Sequence, residues 1–197
     1  MARKRVKYFF AFISPFAALS DARIDEAVAA AGAELVPIPL VPPQIGAPPA
    51  GIAAQLREFR LSYGREDAAR WAAKLGIPWQ PHSAVVDTTD AVAGWYAAAA
   101  AGKERGYRNA IFRARWSDGR DLADRQVLAD CAARAGIARD AFLDALAARR
   151  HHDDVPKALQ QCLEERIFGV PTFVVDGKRF WGNDRLEYLL DELRGAA

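Results

Sequence analysis

The signals for β-strands lie only at the two ends of this chain, and this distribution constrains the fold more than any other feature. Near the N-terminus, aromatic and β-branched side chains over residues 6–13 predict a buried strand, and residues 34–40 predict a second one. Near the C-terminus, residues 172–175 and 178–181 flank Asp176-Gly177, a dipeptide typical of a two-residue hairpin turn. Residues 51–150 between them show no sustained strand-like alternation.

The middle of the chain is instead rich in alanine, and its periodic segments break at glycine or proline, as helices do. A connector rich in proline and glycine, residues 41–50, precedes it. Helices are predicted over residues 15–31, 52–63, 65–75, 89–102, 109–116, 120–135, 139–148, 155–166 and 184–193. Ser14 suits the N-cap of the first helix, Pro15 its first position and Gly32 its end, and Asn183 is predicted to cap the last.

The resulting order is β-α-β, then helices, then α-β-β-α. A β-α-β crossover pairs parallel strands, so the two ends together predict an α/β frame. The sequence therefore predicts an α/β domain made of residues 1–45 and 155–197, interrupted by an all-helical insertion domain, residues 46–154.

Charge and hydropathy exclude several classes of partner. The net charge of +2 is too close to balance to favour nucleic acid or an anionic membrane. No run reaches the roughly 18 apolar residues that span a bilayer. The basic and aromatic N-terminus is broken too early by Ser14-Pro15 to be a signal peptide. We therefore expect a cytoplasmic protein that binds neither nucleic acid nor membrane.

Several residues that invite a functional interpretation are predicted to be structural. Cys131 and Cys162 do not form a Cys-x-x-Cys pair, and we expect two buried thiols. The run from His151 to Asp154 is predicted to be a solvated turn, because adjacent residues diverge and no second ligand cluster stands out. The five tryptophans are predicted to be core residues or walls of an apolar pocket between the two lobes.

Residues 168–177 (FGVPTFVVDG) resemble the thioredoxin superfamily, in which the proline after valine forms a cis peptide facing the active site. Residues 180–186 (FWGNDRL) resemble its DsbA-like branch. Residues 10–17 (FAFISPFA) are similar to the start of the 2-hydroxychromene-2-carboxylate isomerase family, close kin of kappa-class glutathione transferases. The resemblance implies a thioredoxin-like fold with an all-helical insertion domain, of the DsbA and kappa-class type.

The position of the DsbA redox pair is occupied here by residues 14–17, Ser-Pro-Phe-Ala. Dithiol–disulfide exchange needs an attacking thiolate, so this site does not favour it. The resemblance implies glutathione as the cofactor. A hydroxyl at a helix N-terminus lowers the pKa of a nearby thiol through a hydrogen bond and the helix dipole, and we expect Ser14 to do so for the glutathione sulfur. Its alternative role is a plain N-cap.

Other residues are expected to hold the rest of glutathione. A cis Pro171 would leave the Val170 amide and carbonyl groups to pair with the cysteinyl backbone, whereas a trans proline could simply begin the strand. Backbone N–H groups at the start of the last helix could bind the γ-glutamyl carboxylate, and Asp184 its ammonium; a plain cap formed by Asn183 is the alternative. Arg60 is a candidate for the glycyl carboxylate, or else a solvated helix arginine.

The resemblance implies a glutathione-dependent isomerase that acts on an aromatic or chromene-type carboxylate in aromatic-compound catabolism. A kappa-like glutathione transferase and a non-catalytic thioredoxin-fold binding protein are the alternatives. A homodimer is expected by family analogy alone.

Overall fold

The computed structural model describes residues 3–42, 50–82, 84 and 86–195. Its strands are β1 (Arg5–Phe10), β2 (Glu34–Pro39), β3 (Thr172–Val175) and β4 (Lys178–Trp181). They form one sheet in the order β2-β1-β3-β4, in which β1 and β2 are parallel and the other neighbours are antiparallel. The α/β frame predicted from the two chain ends is confirmed.

Eight α-helices accompany the sheet in the described residues: α1 (Pro15–Ala30), α2 (Ile52–Leu75), α3 (Thr89–Ala100), α4 (Glu104–Trp116), α5 (Arg125–Arg134), α6 (Arg139–Ala147), α7 (Lys157–Glu164) and α8 (Leu186–Arg194). Short 3₁₀ turns cover His152–Asp154 and Asn183–Arg185. Within the described part of the chain, no helix combines the length and apolar content needed to cross a bilayer. Part of the predicted connector, residues 43–49, lies outside the described residues.

The β3–β4 hairpin forms as predicted. Asp176 and Gly177 have φ values of 51° and 76°. Positive φ at both central residues is the backbone of the turn that matches the twist of paired strands. The hairpin places Trp181 at the end of β4, opposite Thr172.

Three helix predictions were wrong in their bounds. The α4 helix begins at Glu104 rather than residue 109, and it continues through Gly106. Residues 52–75 form one helix rather than two, because the helix continues through Gly64. A glycine in a helix interior costs only about 1 kcal/mol, which is not enough to end the helix here. The α5 helix begins at Arg125 rather than residue 120, because the Asp124 side chain accepts a hydrogen bond from the Gln126 amide at 2.8 Å and caps it there.

The alternation of side chains along β1 divides the core between the two faces of the sheet. Tyr8 and Phe10 lie on one face, in the large core that extends into α1, α8 and the helices of residues 89–147. Phe9 lies on the other face, in a smaller core with Cys162 of α7 and Val174 of β3. Both Cys162 and Cys131 are buried and free, as expected.

The helical insertion shares its core with the sheet. The ring of Phe112 in α4 lies 5.7 Å from that of Phe10 and 5.2 Å from that of Phe12. The Trp116 indole Nε1 donates to the Phe12 carbonyl at 2.9 Å. The described residues of the predicted insertion, 50–82, 84 and 86–154, contain helices and no strand. The domain bounds themselves stay a prediction.

A buried ion-pair cluster joins α1 to α4. The fully buried Arg108 side chain donates to Asp21 at 2.5 Å and to Asp25 at 2.6 Å. Burial raises the pKa of Asp21 to about 6, although the Arg108 guanidinium opposes that rise. If α4 moved away from α1, Arg108 and the two aspartates would be left as unpaired buried charges, at a high cost in free energy. The cluster therefore holds α4, and with it the insertion, in one position on α1.

The prediction of a solvated turn at residues 151–154 was wrong for His152. Its side chain is 3% exposed, and its Nε2 lies 2.7 Å from Asp90 Oδ1 in the first turn of α3. The turn is buried because it packs against α3, a contact that adjacent sequence letters do not reveal. The structure forms no metal-ligand cluster of three His, Cys, Asp or Glu side chains among the residues it describes.

Candidate active site

Ser14 lies at the junction of the loop after β1 and the first turn of α1. Its backbone is extended, and its Oγ accepts a hydrogen bond from the Ala17 amide at 3.2 Å. Pro15 occupies the first helical position, where its missing N–H has no helical partner to lose. The predicted N-cap is therefore confirmed, and it holds a half-buried hydroxyl at the positive end of the helix dipole.

The Val170–Pro171 peptide bond, which is cis, lies beside this hydroxyl. The Ser14 Oγ donates to the Val170 carbonyl at 3.4 Å, a long contact that joins two residues 156 positions apart. The Pro171 carbonyl in turn accepts from the Gly182 amide at 3.0 Å. The fold thus brings Ser14, Val170 and Pro171 together, as the sequence predicted.

A cavity of about 400 Å³, here called the site cavity, opens at this point. Its walls are Phe16 of α1, Asp67 and Trp71 of α2, the pair Val170–Pro171, and residues 181–185. It therefore lies between the sheet and the helical insertion, where the sequence predicted an apolar pocket. The indoles of Trp71 and Trp181 supply flat apolar surfaces, and residues 183–185 supply charge and hydrogen-bonding groups.

The segment from Gly182 to Asp184 has a conformation that depends on glycine. Gly182 has φ 115°, and a Cβ placed there would lie 2.5 Å from the Asp184 carboxylate. The Asp184 side chain is half exposed, with Arg185 Nη2 at 3.1 Å. The carboxylate is therefore available to a ligand at the mouth of the cavity.

The prediction that Asn183 caps the last helix was wrong. Residues 183–185 form a 3₁₀ turn, and α8 begins at Leu186 without a side-chain cap. The Asn183 side chain is buried and accepts a hydrogen bond from Arg23 Nη2 at 2.8 Å. The half-buried Arg23 guanidinium thus occupies the side-chain oxygen of Asn183 that a helix cap would have used.

Arg60 is not brought into the site cavity. It lies exposed on α2, seven residues before Asp67. Seven residues make almost two helical turns, so Arg60 is on the same side of α2 as Asp67 but about 10 Å farther along the axis. Its predicted contact with a glycyl carboxylate stays a prediction.

Trp71 was predicted as a core residue or pocket wall, and it lines the site cavity. Sequence reasoning missed Arg23, which was not singled out. The available signal was spacing, because Phe16, Ser20 and Arg23 follow one another at intervals of four and three and so share one face of α1. That face packs against the Asn183 segment, through Arg23 at 2.8 Å and Ser20 Oγ at 3.5 Å from Asn183 Oδ1.

Trp181, an exposed wall of the cavity, contacts the exposed ring of Phe168, which does not line the cavity itself. Their ring centroids are 4.8 Å apart and the planes are inclined by 65°, an edge-to-face arrangement. Gly169 makes this possible, because a Cβ there would lie 2.6 Å from the Trp181 Nε1.

The chemistry that the site can perform follows from its groups. It offers a hydroxyl donor at a helix start, backbone groups beside a cis proline and a carboxylate, but no thiol. The two cysteines are buried elsewhere in helices, and burial raises the pKa of each thiol to about 11. The site can therefore stabilise an anion brought by a ligand, but it cannot exchange disulfides through its own residues.

Comparison with known proteins agrees with this arrangement. A family model described as the DSBA-like thioredoxin domain matches residues 5–194. The chain is 29% identical to a 2-hydroxychromene-2-carboxylate isomerase of Sphingobium xenophagum over 192 residues, covering 94% of this chain and 96% of the relative. It is also 29% identical to the enzyme of that name from Pseudomonas putida over 195 residues, covering 96% and 94%.

A solved structure of a 2-hydroxychromene-2-carboxylate isomerase superposes with a TM-score of 0.80 at 24% identity, over 97% of this chain and 94% of the other. The resemblance stated from the sequence motifs and the expected fold are both confirmed. The full-length family match, the mixed sheet with its helical insertion and the cis proline beside a helix N-terminus lead to one conclusion: the chain belongs to the DSBA-like thioredoxin domain family.

Proposed function

We propose that the protein is a glutathione-dependent isomerase of the 2-hydroxychromene-2-carboxylate isomerase type, acting on an aromatic or chromene carboxylate. The observation that carries the proposal is the Ser14 hydroxyl at the start of α1, in contact with the Val170 carbonyl beside the cis Pro171. The relatives of that name are similar over nearly their whole length, which supports the reaction class. A cytoplasmic location, where reduced glutathione is abundant, is part of the proposal.

The residues around the cavity fit the functional groups of glutathione. The Val170 backbone lies two residues before β3, and we expect it to pair with the cysteinyl backbone as one rung of a sheet. The exposed Asp184 carboxylate suits the γ-glutamyl ammonium. The Asn183 Nδ2 is buried and has no hydrogen-bond partner among the described residues, so it suits an acceptor oxygen of the ligand.

Glutathione, when bound, would supply a thiolate that adds to a conjugated carbon of the substrate and leaves again after a bond has rotated. Ser14 would turn its Oγ–H from the weakly held Val170 carbonyl to the sulfur. The Ala17 amide already donates to Ser14 Oγ, which polarises the hydroxyl and strengthens it as a donor. This hydrogen bond and the dipole of α1 favour the thiolate over the thiol, and neither requires Ser14 to act as a nucleophile.

The walls of the site cavity would orient the substrate. Trp71 and Trp181 provide flat surfaces for an aromatic ring, and the Arg185 guanidinium at the same cavity provides a partner for its carboxylate. Such a ligand would be held next to the Ser14 hydroxyl, with the reacting carbon facing the sulfur. Positioning of this kind is a large part of what an isomerase must contribute.

The test combines binding, turnover and product analysis. We expect saturable binding of reduced glutathione by isothermal titration and isomerisation without net consumption of glutathione. Ser14→Ala should lower turnover by about 100-fold, the scale for one hydrogen-bond donor to a charge in a closed site. The control is Ser117→Ala, at the half-buried serine that follows α4 and does not line the site cavity, and it should leave turnover unchanged.

The outcomes separate the alternatives. A stable conjugate and stoichiometric loss of glutathione would identify a kappa-like transferase instead. Binding without turnover of any electrophile would favour a non-catalytic binding protein, and no binding at millimolar glutathione would reject both enzymatic assignments. Full activity of Ser14→Ala would contradict the role given to Ser14.

A further inference from the structure

A half-buried arginine of α1, Arg23, contacts two residues that line the site cavity, Asn183 and Trp71. Arg23 Nη2 donates to Asn183 Oδ1 at 2.8 Å and to the Asn183 carbonyl at 3.2 Å. One guanidinium nitrogen thus contacts both the side chain and the main chain of the same residue. Ser20 Oγ, one turn earlier in α1, lies 3.5 Å from the same Oδ1.

This contact determines which way the Asn183 amide faces. A guanidinium can donate hydrogen bonds but cannot accept them, so the atom it contacts must be Oδ1. The amide nitrogen Nδ2 is then turned away from Arg23. Asn183 is 2% exposed, and its Nδ2 is buried with no partner in the part of the chain that the structure describes. A buried amide donor of this kind requires an acceptor, and Asn183 lines the site cavity.

Arg23 also contacts a second wall of the cavity. Its guanidinium carbon lies 6.0 Å from the centroid of the Trp71 ring, within the range of a cation–π interaction. Lys74 Nζ lies 4.9 Å from the same ring. Trp71 belongs to α2 and Asn183 to the turn before α8, so a single α1 side chain holds walls contributed by both lobes.

We propose that Arg23 is a positioning residue that fixes the Asn183 amide so that Nδ2 donates to a carboxylate or carbonyl oxygen of the ligand, while it supports Trp71. The inference rests on the proposed function for the identity of the ligand. In glutathione the acceptor would be at the γ-glutamyl end, because Asn183 adjoins Asp184, to which the proposed function assigns the ammonium of that end.

Binding of glutathione by purified Arg23→Met, Arg23→Lys and Asn183→Asp tests the role in recognition. Asn183→Asp keeps an acceptor for Arg23 but removes the donor. Arg23→Met and Asn183→Asp should each weaken glutathione binding by about 10-fold or more, the scale of one hydrogen bond to a charged group. Arg23→Lys should recover part of the loss. Binding of cysteinylglycine, which lacks the γ-glutamyl group, should not change.

The side-chain amide signals of Asn183 in a ¹⁵N–¹H correlation spectrum test the orientation without any ligand. They are assigned by their disappearance in Asn183→Asp. In the wild type we expect a dispersed, slowly exchanging pair, and in Arg23→Met a pair near the position of solvated asparagines. Arg70→Met, which removes an exposed α2 arginine paired with Glu66, is the control for charge and should change neither readout.

The two readouts keep this inference distinct from the proposed function. If the wild type binds no glutathione, the proposed function and the ligand part of the inference are both rejected, while the amide signals still decide whether Arg23 orients Asn183. If the wild type binds and a folded Arg23→Met retains both its affinity and its Asn183 signals, the positioning role is overturned.

Discussion

Two cavities of nearly equal size flank α1, and they differ in how their polar groups are satisfied. One is the site cavity, of about 400 Å³. The other, of about 390 Å³, lies between α1, α4 and residues 77–79, and is here called the α1–α4 cavity. It has an aromatic wall in which Trp79 and Trp116 stack with centroids 5.1 Å apart, so its apolar surface matches that of the site cavity.

Two pairs of opposite charges face one another in the α1–α4 cavity, which is also lined by Arg23, whose Nε is buried without a partner among the described residues. Arg105 pairs with Asp25 at 3.1 Å, and Arg113 lies 3.6 Å from Asp118. At the site cavity, the Asn183 Nδ2 is buried and has no partner among the described residues. The Ser14 hydroxyl makes only a long contact with the Val170 carbonyl, and the Asp184 carboxylate is half exposed. The combination of an unpartnered amide donor, a weakly held hydroxyl and an accessible carboxylate distinguishes the site cavity from the α1–α4 cavity, whereas volume does not.

The largest expected effect concerns stability at the α1–α4 cavity. Arg108→Met should lower the free energy of unfolding by about 3–5 kcal/mol, because Asp21 and Asp25 would lose their buried counter-charge. Urea denaturation measures it. Arg105→Met is the matched control, since its side chain is 64% exposed and such pairs contribute about 0–1 kcal/mol. Equal losses for both variants would contradict a structural role specific to the buried pair.

An intermediate effect is expected at the turn that carries Asp184. Gly182→Ala should weaken glutathione binding by about 10-fold, because the new Cβ would displace the Asp184 carboxylate and a favourable charge contact would be lost. Titration calorimetry measures it. Gly195→Ala is the control, since Gly195 also has a positive φ, 74°, but open space around it. A similar loss of affinity in both would show that backbone strain, and not the position of Asp184, is responsible.

The smallest expected effect is on glutathione binding and turnover when the α1–α4 cavity is altered. Arg113→Ala in the α1–α4 cavity should change glutathione affinity and turnover by less than about 2-fold, because its charge is met by Asp118 and its side chain is 69% exposed. Steady-state kinetics and calorimetry measure both quantities. A large loss of activity would mean that the α1–α4 cavity takes part in the reaction and that the distinction drawn from unmet polar groups is incorrect.

The predictions that succeeded depend on local chemistry. The Ser14-Pro15 helix start, the hairpin at Asp176-Gly177 and the buried first strand are each determined by a few neighbouring residues, and the structure confirms all three. The cis peptide before Pro171 followed from a motif resemblance. The hydroxyl and the cis proline of the candidate site can therefore be located from the sequence alone.

The predictions that failed depend on contacts between distant parts of the chain. Asn183 pairs with Arg23, 160 residues away, and therefore does not cap the helix. His152 is buried because its turn meets Asp90, 62 residues earlier. Arg108 is fully buried between two aspartates of α1, a position that no local pattern of a charged residue indicates. Such pairs are determined by tertiary packing, which a single sequence does not encode in its local periodicity.

The central claim is that Ser14 stabilises the thiolate of bound glutathione, and the pKa of that thiol tests it most directly. Thiolate absorbance in the ultraviolet, followed against pH at saturating protein, measures it for the wild type and for Ser14→Ala. The account predicts a pKa in the wild-type complex well below that of free glutathione, and a rise of at least one unit in the variant, or about 1.4 kcal/mol. An unshifted thiol pKa in the wild type, or the same depressed value in Ser14→Ala, would contradict it.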